Sequence, residues 1–187
     1  MEIHETTIPD VKLLIPGCFG DDRGFFMETY NQKTMQSLGI NTVFVQDNHS
    51  YSRDISTLRG LHFQAPPHIQ AKLIRVVKGS ILDVAVDIRK GSPYEGRYVA
   101  IKLSAENKKQ LFIPGGFAHG YCTLEPHTEV LYKASDFYSQ ECERGIRWDD
   151  SDFDIEWGVD EQSVILSDKD SSLPFYSELE SWFSYSG

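Results

Sequence analysis

Removing a proton from carbon next to a carbonyl needs a base that titrates near neutrality and a cation or donor where charge collects on the oxygen. Inversion also needs an acid on the opposite face. His62, Lys72 and a tyrosine could meet these needs in this chain. His62 lies in L-R-G-L-H-F-Q at 58 to 64, and a second histidine, His119, lies in P-G-G-F-A-H-G-Y at 114 to 121. Histidine titrates near pH 6.5 and is the natural base, and a carboxylate beside it would fix its tautomer and stabilise the imidazolium. The alternative for either histidine is a partly buried core imidazole with one satisfied hydrogen bond, and the residues alone leave both readings open. Two further polar segments, D-D-R-G-F-F-M-E at 21 to 28 and Q-D-N-H-S at 46 to 50, also place charge where a plain core or surface would not.

A metal site is the competing chemistry, because small barrels with histidines on adjacent strands hold transition metals. P-G-G-F-A-H is similar to the second histidine motif of cupins. The first motif would need another histidine two positions after His62, where Gln64 stands, and a carboxylate seven positions before Gly79, where Lys72 stands. An ammonium in a ligand position repels a divalent cation, so no metal is expected. His68, after Pro66-Pro67, is expected in an exposed loop.

These residues must be carried by strands. Leu82, Val84, Val86 and Ile88 alternate with Asp83, Ala85 and Asp87, the period of a strand. The run from Lys72 to Val77 precedes it through Lys78-Gly79-Ser80, which reads as a hairpin turn. Further runs at Tyr98 to Leu103, Gln110 to Ile113, Gly120 to Leu124 and Glu129 to Ala134 are separated by turn-rich segments. Many short strands at regular spacing predict an all-β fold, an antiparallel jelly-roll barrel. Asn31 to Gly39 has the start and stop of a short helix. Leu173, Phe175, Tyr176, Leu179, Trp182 and Phe183 recur in the tail at roughly helical spacing, which predicts packing against the body.

A chain of 187 residues with 40% hydrophobic content suits one domain over 1–187, with a core to about 170 and a tail at 171–187. The 28 acidic against 18 basic side chains give a net charge of −10, which argues against nucleic acid or an anionic membrane as partner. An anionic ligand must therefore find a local cationic pocket. Cys18, Cys122 and Cys142 form neither a CxxC pair nor a framework, so a reducing cytoplasm is expected. No signal-peptide run and no apolar stretch of about 18 residues is present, so the chain reads as soluble.

In order and over nearly the whole length, these segments resemble the dTDP-4-dehydrorhamnose 3,5-epimerase family. The matching stretches include D-D-R-G-F-F-M-E-T-Y, Q-D-N-H-S-Y-S, L-R-G-L-H-F-Q, Q-A-K-L-I-R-V-V-K-G, I-P-G-G-F-A-H-G-Y, Y-K-A-S-D-F-Y and L-S-D-K-D. The resemblance implies a cupin-type jelly roll that uses no metal and no cofactor. It implies His62 as the base at C3 and C5 of a dTDP-4-keto-6-deoxy-D-glucose, Asp170 as its carboxylate partner, Lys72 as the stabiliser of the enolate and Tyr132 as the acid. It further implies Arg23, Arg59 and Lys169 for phosphate or sugar contacts, Phe26, Glu28, Gln46, Asp47, Asn48 and His119 for recognition, Tyr138 for stacking on thymine, and Glu143 for the rim. A homodimer with exchanged N-terminal strands is also implied, in which Arg23 and Glu28 serve the neighbouring site. The same scaffold leaves a C3 or C5 epimerase or a ketoisomerase as alternatives; a silent sugar-nucleotide binding module or a metal-dependent oxygenase fits less well. If Arg59 and His62 share one pocket, two residues of opposite parity must face the same way, so Gly60 should mark a bend or the true start of the strand.

Overall fold

Period-two alternation punctuated by turn residues builds short antiparallel strands and little helix, as the computed structural model describes for residues 1–186. One sheet has the order β1 (Glu2–Glu5), β2 (Lys12–Ile15), β10 (Gln110–Ile113), β7 (Lys72–Lys78), β12 (Thr128–Ala134), β5 (Gln46–Ser52). The other has the order β13 (Glu143–Gly145), β6 (Leu58–Gln64), β11 (Phe117–Thr123), β8 (Ser80–Asp87), β9 (Tyr98–Ser104). A hairpin of β3 (Cys18–Asp21) and β4 (Gly24–Met27) pairs with neither sheet. This is the all-β jelly roll expected from the spacing of the strands. Helix α1 (Gln32–Ser37) forms where Asn31 caps it, its side chain accepting from the Lys33 and Thr34 amides.

The connection at Gly79 is a corner and not a hairpin turn. β7 and β8 belong to different sheets, and Gly79, at φ 74°, carries the chain from one to the other. A Cβ there would lie 2.3 Å from the Thr128 hydroxyl oxygen, so only glycine fits the crossing. The glycine signal was sound, but a turn residue alone does not say whether the next strand pairs back or crosses over. The run at Gly120 to Leu124 likewise begins earlier than expected, at Phe117.

Three apolar clusters hold the layers. Ile74, Val76, Ile81, Ala85, Leu111 and Val130 pack in one, Leu58, Leu61, Phe63, Val84 and Val86 in a second, and Leu14, Met35, Leu73 and Phe112 beside α1 in a third. The second cluster is closed by Ile146, Phe153, Trp157 and Phe183 from the C-terminal part of the chain. The tail achieves this without a long helix. It forms only α2 (Asp168–Ser171) and a single 3₁₀ turn at Tyr176–Glu178. Pro174 pushes Leu173 out of helical backbone space, and Lys90 pairs with the tail through bonds to the Phe183 carbonyl and from the Tyr185 amide. The aromatic rings then reach Phe63 from extended chain, with centroids 5.6 Å away for Trp182 and 5.8 Å for Phe183.

β6 carries the irregularity that matters most for the site. His62 is registered opposite His119 and Arg59 opposite Tyr121, so two residues of β6 oppose the single Gly120. That bulge reverses the parity, and Arg59 and His62 both face the barrel cavity while Leu61 and Phe63 enter the second cluster. The bend alternative at Gly60 is the one realised, since the strand itself already starts at Leu58. Gly60 has φ 127°, and a Cβ on it would meet the Gly120 Cα at 2.5 Å and the His119 carbonyl oxygen at 2.8 Å. Gly60→Ala is expected to cost about 3 kcal/mol, a drop in Tm of roughly 6 to 12 °C for a chain of this size. Thermal unfolding measures it, and an unchanged Tm would show that the strands part without penalty.

Candidate active site

Seven of the fifteen site residues singled out from the sequence converge on one cavity of about 290 Å³: Arg59, His62, Lys72, His119, Tyr132, Lys169 and Asp170. Strand β6 supplies Arg59 and His62, β7 supplies Lys72, β11 supplies His119, β12 supplies Tyr132, and α2 supplies Lys169 and Asp170. A neighbouring chamber of about 340 Å³ shares His62, Lys72 and Tyr132 and adds Gln46, Asn48, Tyr138 and Glu143.

His62 and Asp170 form a dyad with Nε2 and Oδ1 2.6 Å apart. Asp170 is held on its other side by Ser167, the N-cap of α2, whose hydroxyl donates to Oδ2 at 2.9 Å. Burial pushes the Asp170 carboxyl up, but the bonds from His62 and Ser167 and the charge of Lys169 outweigh it and hold it below its ordinary value. An ionised carboxylate at Nε2 keeps the imidazole proton there, leaving the Nδ1 lone pair free to accept a proton.

Lys72 donates to the His62 carbonyl at 3.3 Å. Burial drives its ammonium down to about 8, with Asp83 and Glu143 opposing the fall. It is therefore a cation at neutral pH in a buried position, where a fixed charge stabilises a developing oxyanion more than it would in open water. Burial raises the Tyr132 phenol, only partly offset by Arg59, so the hydroxyl keeps its proton and is available to donate it.

His119 is buried, with Nε2 2.7 Å from Asp83 Oδ1. Burial lowers its pKa, and the Lys72 and His62 charges add to that fall against the pull of Asp83. At the rim, the Tyr138 hydroxyl donates to Glu143 at 2.8 Å and Lys169 pairs with the same carboxylate. Gln46 receives the Tyr138 amide at 3.0 Å and donates to the Asn48 carbonyl oxygen at 2.9 Å. The exposed Tyr138 ring is thus anchored at both ends while its face stays open.

Four residues are not brought to the cavity. Asp47 alternates with Asn48 on β5 and pairs at 2.9 Å with Lys133, its registered neighbour on β12, on the face away from Asn48 and Tyr132. Arg23 lies at the turn of the β3–β4 hairpin and bonds to Asp21. Phe26 lines a different cavity beside Arg75 and Lys108, and exposed Glu28 accepts from the Asn31 amide at 3.2 Å. His68, expected in an exposed loop, is half-buried and pairs with Asp136 at 3.2 Å.

Four lining or supporting groups were not singled out from the sequence: Ser50, Asp83, Tyr121 and Ser167. Ser50 and Tyr121 bond to each other at 2.7 Å in the cavity. Tyr121 follows His119 by two positions on a strand and so shares its face, and Ser167 precedes the Asp170 helix at capping distance. Those signals were available; the inward direction of Asp83 was not, because alternation does not say which set faces the cavity.

The chain matches the family model described as dTDP-4-dehydrorhamnose 3,5-epimerase over residues 5–178. It is 54% identical over 171 residues to the dTDP-4-dehydrorhamnose 3,5-epimerase of Shigella flexneri, covering 91% of this chain and 93% of that one. The crystal structure of the Bacillus anthracis epimerase with TDP and PPi bound superposes with a TM-score of 0.90 at 52% identity, covering 93% of this chain and 98% of that one. The Legionella pneumophila dTDP-6-deoxy-D-glucose-3,5-epimerase in complex with dTDP-4-keto-L-rhamnose superposes with a TM-score of 0.95 at 41% identity, covering 100% and 99%.

Proposed function

The chain belongs to the dTDP-4-dehydrorhamnose 3,5-epimerase family, and on that premise we propose that it converts dTDP-4-keto-6-deoxy-D-glucose to dTDP-4-keto-L-rhamnose by inverting C3 and C5, with His62 as base and Tyr132 as acid. The observation that carries this reading is the His62–Asp170 dyad, at 2.6 Å, lining the same cavity as Lys72 and Tyr132.

His62 Nδ1 takes the proton from the carbon next to the C4 ketone, and the released pair of electrons moves onto the C4 oxygen as an enolate. The Lys72 ammonium stabilises that oxygen. Tyr132 protonates the carbon from the opposite face, the electrons return from oxygen to carbon, and the ketone re-forms with inverted configuration. The phenol then recovers its proton from solvent and the dyad loses its own. Each of the two centres passes through one such cycle. His119, with its Nε2 proton on Asp83, offers Nδ1 as an acceptor for a sugar hydroxyl. Arg59 and Lys169 supply cations for the diphosphate within an acidic protein, and Tyr138 offers its ring to the thymine.

The β3–β4 hairpin fits a homodimer in which it crosses to complete a neighbouring site. Phe19, Phe25 and Phe26 on it are 72%, 63% and 70% exposed, more apolar surface than a lone hairpin keeps in water. Arg23 and Glu28 belong to the same segment and lie away from the cavity of their own chain. β1 and β2 are already used in their own sheet, so the exchanged strands of this reading are β3 and β4. Among the described residues no helix is long and apolar enough to cross a membrane.

Incubating the keto sugar nucleotide with the enzyme in deuterated water tests the reaction. Label at both C3 and C5 is expected. Label at one carbon reduces the enzyme to a single epimerase, and tight binding without label removes the catalytic assignment.

A further inference from the structure

Asp83 is a carboxylate at the centre of a mostly apolar strand. It is registered opposite Tyr121 across the β8–β11 pair, which turns it toward the barrel interior together with His119. Its side chain is fully buried, Oδ1 is taken by His119, and Oδ2 accepts from no described residue. A buried carboxylate with one free oxygen is costly unless a cation shares its surroundings.

We propose that Asp83 is a positioning residue that keeps Lys72 charged, so that the carboxylate sets the alkaline limit of the epimerase as well as orienting His119. The proposal rests on the role given above to Lys72. The titratable and charged groups around the cavity are Arg59 and His62 on β6, Lys72 on β7, His119 and Tyr121 on β11, Tyr132 on β12, Tyr138 in the loop before β13, Glu143 on β13, and Lys169 and Asp170 on α2. Three are carboxylate-bearing together with Asp83, and their partners decide which one acts on Lys72. Asp170 is committed to His62 and Ser167. Glu143 is committed to Lys169 and Tyr138. Asp83 has only His119, and burial keeps that imidazole neutral, so the hydrogen bond does not cancel the negative charge. The carboxylate without a cationic partner is Asp83, and of the two acidic groups that oppose the effect of burial on Lys72 it has the larger influence.

The carboxylate sits behind the sugar-binding surface, which it supports through His119 and Lys72 without reaching it. Its removal should therefore act on the pH profile and not on a single contact with substrate. Loss of a nearby opposite charge lowers a buried ammonium by about one pH unit or more.

Competitive acetylation of the whole enzyme with acetic anhydride, read at Lys72 by mass spectrometry across neutral and alkaline pH, measures the titration directly. Asp83→Asn keeps the size of the side chain and an oxygen acceptor for His119, and its Lys72 titration is expected to move toward acid by about one pH unit, with the alkaline limb of deuterium exchange moving alongside. His119→Gln, which leaves Asp83 in place, should leave the Lys72 titration where it is. A Lys72 titration in Asp83→Asn that coincides with that of the unaltered enzyme overturns the proposal, and so does a rise in KM alone with an unmoved pH limb. Glu143→Gln provides a second arm that does not depend on Asp83→Asn folding: it should shift Lys72 by less than half a pH unit, and a shift of about one unit would transfer the role to Glu143 and overturn the proposal. If Lys72→Met exchanges deuterium at the unaltered rate, the enolate role of Lys72 falls, whereas acetylation still reads the coupling between Asp83 and Lys72.

Discussion

Replacing His62 with alanine should stop deuterium exchange at both C3 and C5, lowering the rate by about 10³ to 10⁴-fold. The effect is expected at both carbons together if the dyad supplies the base: among the described histidines, only His62 and His119 line the cavity, and burial lowers the pKa of His119, which makes it a weaker base than an ordinary imidazole. Arg59, Lys169 and Tyr138 remain in place, so binding of dTDP should change little. The measurement is the rate of label incorporation by NMR alongside calorimetric binding of dTDP. Loss of exchange at one carbon only would show that a second base serves the other, and equal loss of dTDP binding would show that the variant had lost its site and not its base.

Tyr132→Phe separates proton removal from inversion. The ring stays and only the hydroxyl proton is lost, so His62 can still form the enolate and return a proton to the face it came from. Exchange should persist within roughly tenfold, while net inversion falls by about 10² to 10⁴-fold, the usual contribution of a positioned acid. Burial keeps this phenol protonated at neutral pH, which is the state an acid needs. The readout is label incorporated against product formed. Unchanged inversion in the Phe variant would remove Tyr132 from its role, and loss of both in parallel would assign the hydroxyl to forming the enolate instead.

The covered tail explains part of the stability of this arrangement. Leu173 follows the Asp170 helix and packs where a Cβ on Gly145 of β13 would come within 2.6 Å of it, and α2 itself packs against β6. The aromatic residues beyond it close the second cluster, behind the strand that carries His62. The tail, to which the sequence lent no function, thus packs against the back of β6, the strand that carries His62.

Local features were legible in the chain without a structure. The alternation from Ile81 to Ile88, the Asn31 cap, the glycine stop after α1 and the turn-rich separators act within a few residues of one another, and side-chain pattern and backbone preference are enough to read them. The types of the candidate groups were legible for the same reason: a lysine in the place of a metal ligand is chemistry that needs no fold. Long-range choices were not. Whether Gly79 turns back or crosses to the other sheet, which face of β8 points inward, and that Asp47 faces away from Asn48 all depend on strands far off in the chain. The bulge at Gly60 shows the reason most clearly. Sequence parity put Arg59 and His62 on opposite faces, and only the pairing of two residues of β6 against the single Gly120 of β11, which no local interaction specifies, turned both into one cavity.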